Sequence, residues 1–241
     1  MLKEIFKILL FLDLFKKILG DYRYNLIKHT IRYHLFFPLN YTIKDEINFG
    51  STKANDFFKN ELKNSKIYLE YGTGASTLLA EKEKKNYFAI EGDRNFYKYM
   101  NKRLKKNNIK LKSLGVVKEF CVPVKFKSDY DLRKINDKER KDIKNYCNGI
   151  LEEFEKENII PDLILVDGRF RKLTGLYLYN FFKNKNNNFK IIIDDYLNRE
   201  NYHELEKFFV IKKFERFGVS TELIPNMHTE DAIEKSLYDC G

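Results

Sequence analysis

The chain predicts an α/β fold: a doubly wound, mostly parallel seven-stranded sheet with an antiparallel edge strand and an N-terminal helical extension. Three observations predict it. From about residue 52 onward, short apolar runs alternate with segments of helical periodicity. Four of those runs end in acids, in "EYGTGAS", "IEGD", "VDGRFR" and "IDDY". The last two runs, within "FFVIKKFERFGVSTELIPN", follow one another around Gly218 with no helix between them, which predicts an antiparallel pair at the sheet edge.

Taken in order, residues 1–51 form the extension and residues 52–241 the α/β domain, with an insertion at about 123–160. In "MLKEIFKILLFLDLFKKILG", Leu2, Ile5, Phe6, Leu9, Leu12, Phe15 and Leu19 recur at helical spacing. Charged residues such as Lys7 and Asp13 interrupt the run, which falls short of the roughly 20 apolar residues a bilayer span needs. No small-residue cleavage site follows it. Such an amphipathic helix either packs on its own domain or a second subunit, giving a homo-oligomer, or makes peripheral membrane contact.

"KANDFFKNEL" then reads as a helix, "KIYLEYG" as a buried strand, "STLLAEKEKK" as a helix and "NYFAIEGD" as a strand. "NFYKYMNKRLKKN" is helical and "SLGVVKEFCV" a third strand; the polar and aromatic insertion holds one helix and, with Tyr130, forms a lid. "PDLILVDG" is a strand, "LTGLYLYNFFK" a helix, "FKIIIDDY" a strand, and residues 199–209 a helix before the final pair. In sheets of this kind ligands bind beyond the carboxyl ends of the strands. The four acid-bearing ends converge on that rim.

Composition narrows the partners. With 45 Lys and Arg against 35 Asp and Glu the formal charge is +10, compatible with nucleic acid, anionic lipid or an anionic substrate. The lysines are spread along the chain among Asn and Ile, so nucleic acid is the lesser expectation and a small-molecule or glycan substrate the greater. Cys121, Cys147 and Cys240 are scattered and odd in number, as expected of a reducing, cytoplasmic setting.

The turn "EYGTGAST" separates the cofactor classes. It lacks the Gly-Lys-Ser/Thr of a phosphate-binding loop, and Thr77 stands where a dinucleotide fingerprint has Gly or Ala. Glu70 suits a cationic group better than a pyrophosphate. Glu91, closing the next strand, can accept both hydroxyls of a ribose.

Over about residues 52–225 this pattern resembles the class I S-adenosylmethionine-dependent methyltransferases, whose first motif is acid-x-Gly-x-Gly. The resemblance implies that Glu70, Gly72, Gly74 and Ser76 lie against the methionine and ribose of S-adenosylmethionine and that Glu91 holds the ribose. Ser76 stands where the family often has a third glycine.

Asp167 in "VDG" and Asp194 and Asp195 in "IDDY" offer hard oxygen ligands from two strand ends, a set that suits Mg²⁺. Here the chain resembles metal-dependent O-methyltransferases of catechols and sugars, which implies Asp167, Asp194 and Asp195 as metal ligands. Asp167, also a cofactor contact, Asp195 and His203 are the candidate catalytic groups. The open alternative is structural: the aspartates pair with Arg169 or Arg199. Arg169 and Arg171 either bind an acidic substrate or pair with the rim's acids. The expected function is O-methylation of a sugar or other hydroxylated metabolite, with surface-polysaccharide synthesis as a setting. An RNA methyltransferase and a non-catalytic scaffold are the alternatives.

Overall fold

The computed structural model describes residues 44–106, 115–119, 137–185 and 187–239. The N-terminal extension up to residue 43, Tyr130 and the rest of the expected lid before residue 137 lie outside the described residues, as do Cys121 and Cys240.

Helix α1 (Thr52–Asn64) begins where the Ser51 hydroxyl accepts the Ala54 N–H at 3.1 Å, and it buries Ala54, Phe58 and Leu62 four residues apart on one face. Strand β1 (Ile67–Tyr71) leads through the glycine turn into α2 (Ala75–Lys82), followed by β2 (Asn86–Glu91), α3 (Arg94–Lys106) and β3 (Gly115–Glu119). Helix α4 (Asp137–Glu157), within the segment read as an insertion, is the crossover to β4 (Leu163–Val166). Then come α5 (Arg171–Phe182), β5 (Lys190–Ile193), β6 (Phe209–Phe214), β7 (Phe217–Leu223) and α6 (Glu230–Ser236).

The sheet runs β3-β2-β1-β4-β5-β7-β6, with β1 to β5 mutually parallel. The doubly wound, mostly parallel order is the one the sequence predicts. Strand alternation sends Leu69, Tyr71, Ile164, Val166, Ile191 and Ile193 to the face covered by α4 and α5. It sends Tyr68, Leu163, Leu165 and Ile192 to the opposite face, against Phe58 and Leu62 of α1. Burial on both faces explains why these strands read as continuous apolar runs.

One expectation needs correction. The antiparallel strand is not the edge: β7 pairs antiparallel with both β5 and β6, so it lies second from the end, and β6 closes the sheet running parallel to the first five strands. The hairpin reverses at Glu215, whose φ is 52°, and Gly218 then admits the Tyr196 ring, since a Cβ there would lie 2.5 Å from the Tyr196 Cγ. Lys212 and Lys213 put charge on the outer strand, where it hinders edge-to-edge pairing. Residues 199–209 hold a helix as the sequence predicts, of 3₁₀ type over Glu200–Lys207 and preceded by a shorter 3₁₀ turn at Tyr196–Asn198.

Candidate functional site

The rim of the sheet is built first by the glycine turn. Gly72 has φ 94°, and its N–H donates to the Ile90 carbonyl at 2.8 Å. A Cβ at Gly72 would sit 2.8 Å from the Asp167 carbonyl oxygen and 2.9 Å from the Gly168 Cα. Its freedom from a side chain therefore brings the loops after β1 and β4 together. A Cβ at Gly168 would come within 2.0 Å of the Tyr146 hydroxyl, so both loops are close-packed at backbone level. Gly74 is the reverse: nothing lies within 4 Å of a Cβ there, and the open side of the turn is above it.

Beneath the turn Glu70 has no exposed surface. Its carboxylate accepts the Tyr68 and Ser76 hydroxyls, each at 2.7 Å, and the Thr77 hydroxyl. Thr77 in turn accepts the Gly74 N–H at 2.9 Å, so this set braces the turn from inside the core. Burial lifts the Glu70 carboxyl to about 7, against the opposing pull of the hydrogen bonds from Thr77, Ser76 and Tyr68. Glu70 and Ser76 thus shape the turn from below rather than meeting a ligand with their side chains.

Glu91 stands beside the turn at the end of β2. One carboxylate oxygen accepts the Thr73 N–H at 3.1 Å and the Thr73 hydroxyl at 2.7 Å; the other accepts the Asp93 N–H at 2.7 Å. Burial raises its pKa, while these donors hold it down. The hydroxyl it already grips from Thr73 is the kind of donor a ribose would offer. Gly72, Gly74 and Glu91 are brought together as the sequence predicts.

The second part of the rim joins acids to arginines. Asp167 follows β4, and Asp194 and Asp195 follow β5, with Asp195 in the left-handed region at φ 57°. Arg171, at the start of α5, pairs with Asp167 at 2.8 Å and Asp195 at 3.2 Å, and donates to the Gly168 and Asp194 carbonyls at 3.0 and 2.6 Å. Arg216, from the β6–β7 hairpin, donates to Asp194 Oδ2 at 2.9 Å, holds its Nε 2.7 Å from Asp194 Oδ1 as an ion pair, and also reaches Asp195. Burial and the neighbouring Asp194 push the Asp167 carboxyl up, with Arg171 pulling against them.

This corrects the metal expectation. The oxygens of Asp167, Asp194 and Asp195 that would take Mg²⁺ are turned onto two guanidinium groups, and among the described residues no group of His, Cys, Asp and Glu is arranged to hold a metal ion. The residues do not fit the ion. Of the readings left open for the arginines, pairing with rim acids holds for Arg171. The aspartate pair takes Arg171 and Arg216, and Arg199 is exposed. His203 packs on the Tyr196 ring with centroids 4.9 Å apart, its Nε2 lying 3.2 Å from the Tyr196 carbonyl oxygen.

The sequence does not single out Arg216, since "FERFG" offers one acid and one base at a hairpin. Beside it opens a pocket of about 320 Å³ lined by Phe49, Ser51, Asp195, Leu197, Asn198 and Arg216, among others. It combines apolar surface with carboxylate, amide and hydroxyl groups, and its volume is at the small end of ligand sites.

No protein-family model matches the chain, and no curated protein does. Solved structures do. A methyltransferase-like protein from Silicibacter pomeroyi aligns with a TM-score of 0.62 at 20% identity, over 81% of this chain and 99% of that one. The chain has a methyltransferase-type fold. A proposed caffeoyl-CoA O-methyltransferase from Staphylococcus aureus aligns at a TM-score of 0.45 and 13% identity, over 85% and 99% of the two chains. For this methyltransferase-type fold, no described helix is long and apolar enough to cross a membrane.

Proposed function

We propose that the protein is an S-adenosylmethionine-dependent methyltransferase that modifies a hydroxyl of a sugar or another small hydroxylated metabolite. The observation that carries this reading is Glu91, held beside a glycine turn whose open side lies over Gly74. The cofactor, when bound, supplies an electrophilic methyl group on a sulfonium. Glu91 takes the ribose hydroxyls by exchanging the Thr73 hydroxyl for one of them. Gly74 leaves room for the cofactor over the first turn of α2.

Asp167 lies at the meeting point of this turn and the acid–arginine rim, since its backbone touches Gly72 while its carboxylate meets Arg171. Its side chain is 33% exposed and its pKa is raised, which suits a group that takes the acceptor's proton as the oxygen attacks. The pocket beside Asp195 and Arg216 supports a compact hydroxylated acceptor, with carboxylate and amide groups for its hydroxyls and Leu197 and Phe49 for its apolar face. A setting in glycan assembly near a membrane draws only on the amphipathic pattern of residues 2–19.

The test is calorimetric titration with S-adenosylhomocysteine. Wild type is expected to bind, and Glu91→Ala to weaken binding by about tenfold or more, some 1.4 kcal/mol. Methyl transfer from labelled cofactor to monosaccharides and nucleotide sugars, with RNA in parallel, then identifies the acceptor. Transfer to RNA alone would replace the sugar reading, and failure to bind S-adenosylhomocysteine would leave the scaffold alternative in front.

A further inference from the structure

We propose that Arg171 and Arg216 together stand in the place of a divalent cation, so that the acids at the ends of β4 and β5 operate without metal. Two guanidinium groups carry the same formal charge as one Mg²⁺ ion. They reach every acid of the set: Arg171 meets Asp167 and Asp195, and Arg216 meets Asp194 and Asp195. Neither belongs to the strands that carry the acids. One comes from the first turn of α5 and the other from a hairpin beyond β5, so the filling is a property of the assembled fold.

The physical contrast with a metal site is strong. A guanidinium fork matches carboxylate geometry through directed N–H donors, whereas Mg²⁺ demands near-octahedral oxygens and gives up its waters reluctantly. For the ion to enter, Asp194 and Asp195 would have to abandon Arg216, whose side chain is 30% exposed, and leave its charge without an anion. Asp194 is buried with 3% of its side chain exposed, and its two oxygens lie 2.7 and 2.9 Å from nitrogens of the Arg216 guanidinium. Arg216 is therefore a positioning residue: it sets the orientation of Asp194 and Asp195 and walls the neighbouring pocket. For catalysis the inference rests on the methyl-transfer reading. The acceptor hydroxyl gets no metal activation, and its proton passes to a carboxylate as the new O–C bond forms and the S–C bond breaks.

The experiment titrates Mn²⁺ alone into the full-length protein and reads free Mn²⁺ by electron paramagnetic resonance. Wild type is expected to leave the ion free up to millimolar concentration and to show no shift in melting temperature with Mn²⁺ or Mg²⁺. Arg216→Ala, confirmed as folded by circular dichroism, is expected to acquire one Mn²⁺ site that Asp195→Asn removes. Uptake of Mn²⁺ by wild type that Asp195→Asn abolishes would overturn the proposal, and so would a folded Arg216→Ala that binds none. If Arg216→Ala does not fold, the wild-type arm decides alone. Loss of S-adenosylhomocysteine binding would sink the methyltransferase reading and leave these metal results standing, so the two failures are distinguishable.

Discussion

The two halves of the rim use the same raw material in different ways. After β1 and β2, Glu70 and Glu91 are satisfied by hydroxyls and backbone N–H groups from β1, the glycine turn, the first turn of α2 and Asp93. After β4 and β5, Asp167, Asp194 and Asp195 are satisfied by cations delivered from elsewhere in the fold. Neutral donors can be exchanged for the hydroxyls of a ligand. Cations bind the acids tightly and hold distant elements together. The acid at a strand end is thus only half of a site, and its partner decides what the site can do.

Breaking the cationic half should have the largest effect. Arg171→Ala removes the cation from Asp167, leaves Asp195 to Arg216 alone, and is expected to lower the unfolding free energy by about 3–5 kcal/mol. Urea denaturation measures it, and a loss below about 1 kcal/mol would mean the network behaves as an exposed surface pair.

The neutral half makes a pH prediction of comparable size. The unfolded chain releases the Glu70 proton near 4.5, while the folded protein holds it to about 7. Between those values the native state binds the extra proton, so stability declines as pH rises from about 4.5 to about 7 and is level above. The Glu70 contribution is on the order of 3 kcal/mol, and Glu70→Gln is expected to flatten that interval in melts run across it. A wild-type profile that rises over the same range would contradict the inward, neutral role of Glu70.

At the seam between the halves, Gly72→Ala forces a side chain into the Asp167–Gly168 backbone at a positive φ, with an expected cost of about 2–3 kcal/mol. Wild-type stability in that variant would show that the loops after β1 and β4 are not packed as described. The smallest effect sharpens the comparison. Thr73→Val removes one hydroxyl from Glu91 and is expected to cost about 1 kcal/mol of stability without lowering affinity for S-adenosylhomocysteine, because the vacated oxygen is the one the ribose takes. A calorimetric loss of affinity would instead make Thr73 a direct ligand contact.

Much of the fold was legible in local pattern. Apolar runs such as "YLEY" and "IIID" mark strands buried on both faces, and α1 shows its core stripe through Ala54, Phe58 and Leu62. The place of β7 was not legible, because a hairpin sequence specifies that two strands pair but not which of them joins the sheet. The helix within residues 199–209 was legible, but its 3₁₀ type over Glu200–Lys207 was not, because helical composition does not specify the hydrogen-bond period.

The same division holds at the site. Sequence by itself determined that four acid-bearing strand ends face one rim and that a glycine turn lies between the first two, since chain order and side-chain period dictate both. Only the tertiary structure decided what each acid meets. Gly72 meets the Asp167 backbone, Glu70 turns inward to Thr77, and Asp194 receives Arg216 from a hairpin on the far side of β5. Such contacts join residues far apart in the chain, and their energy depends on distance and burial, which exist only once the sheet has assembled.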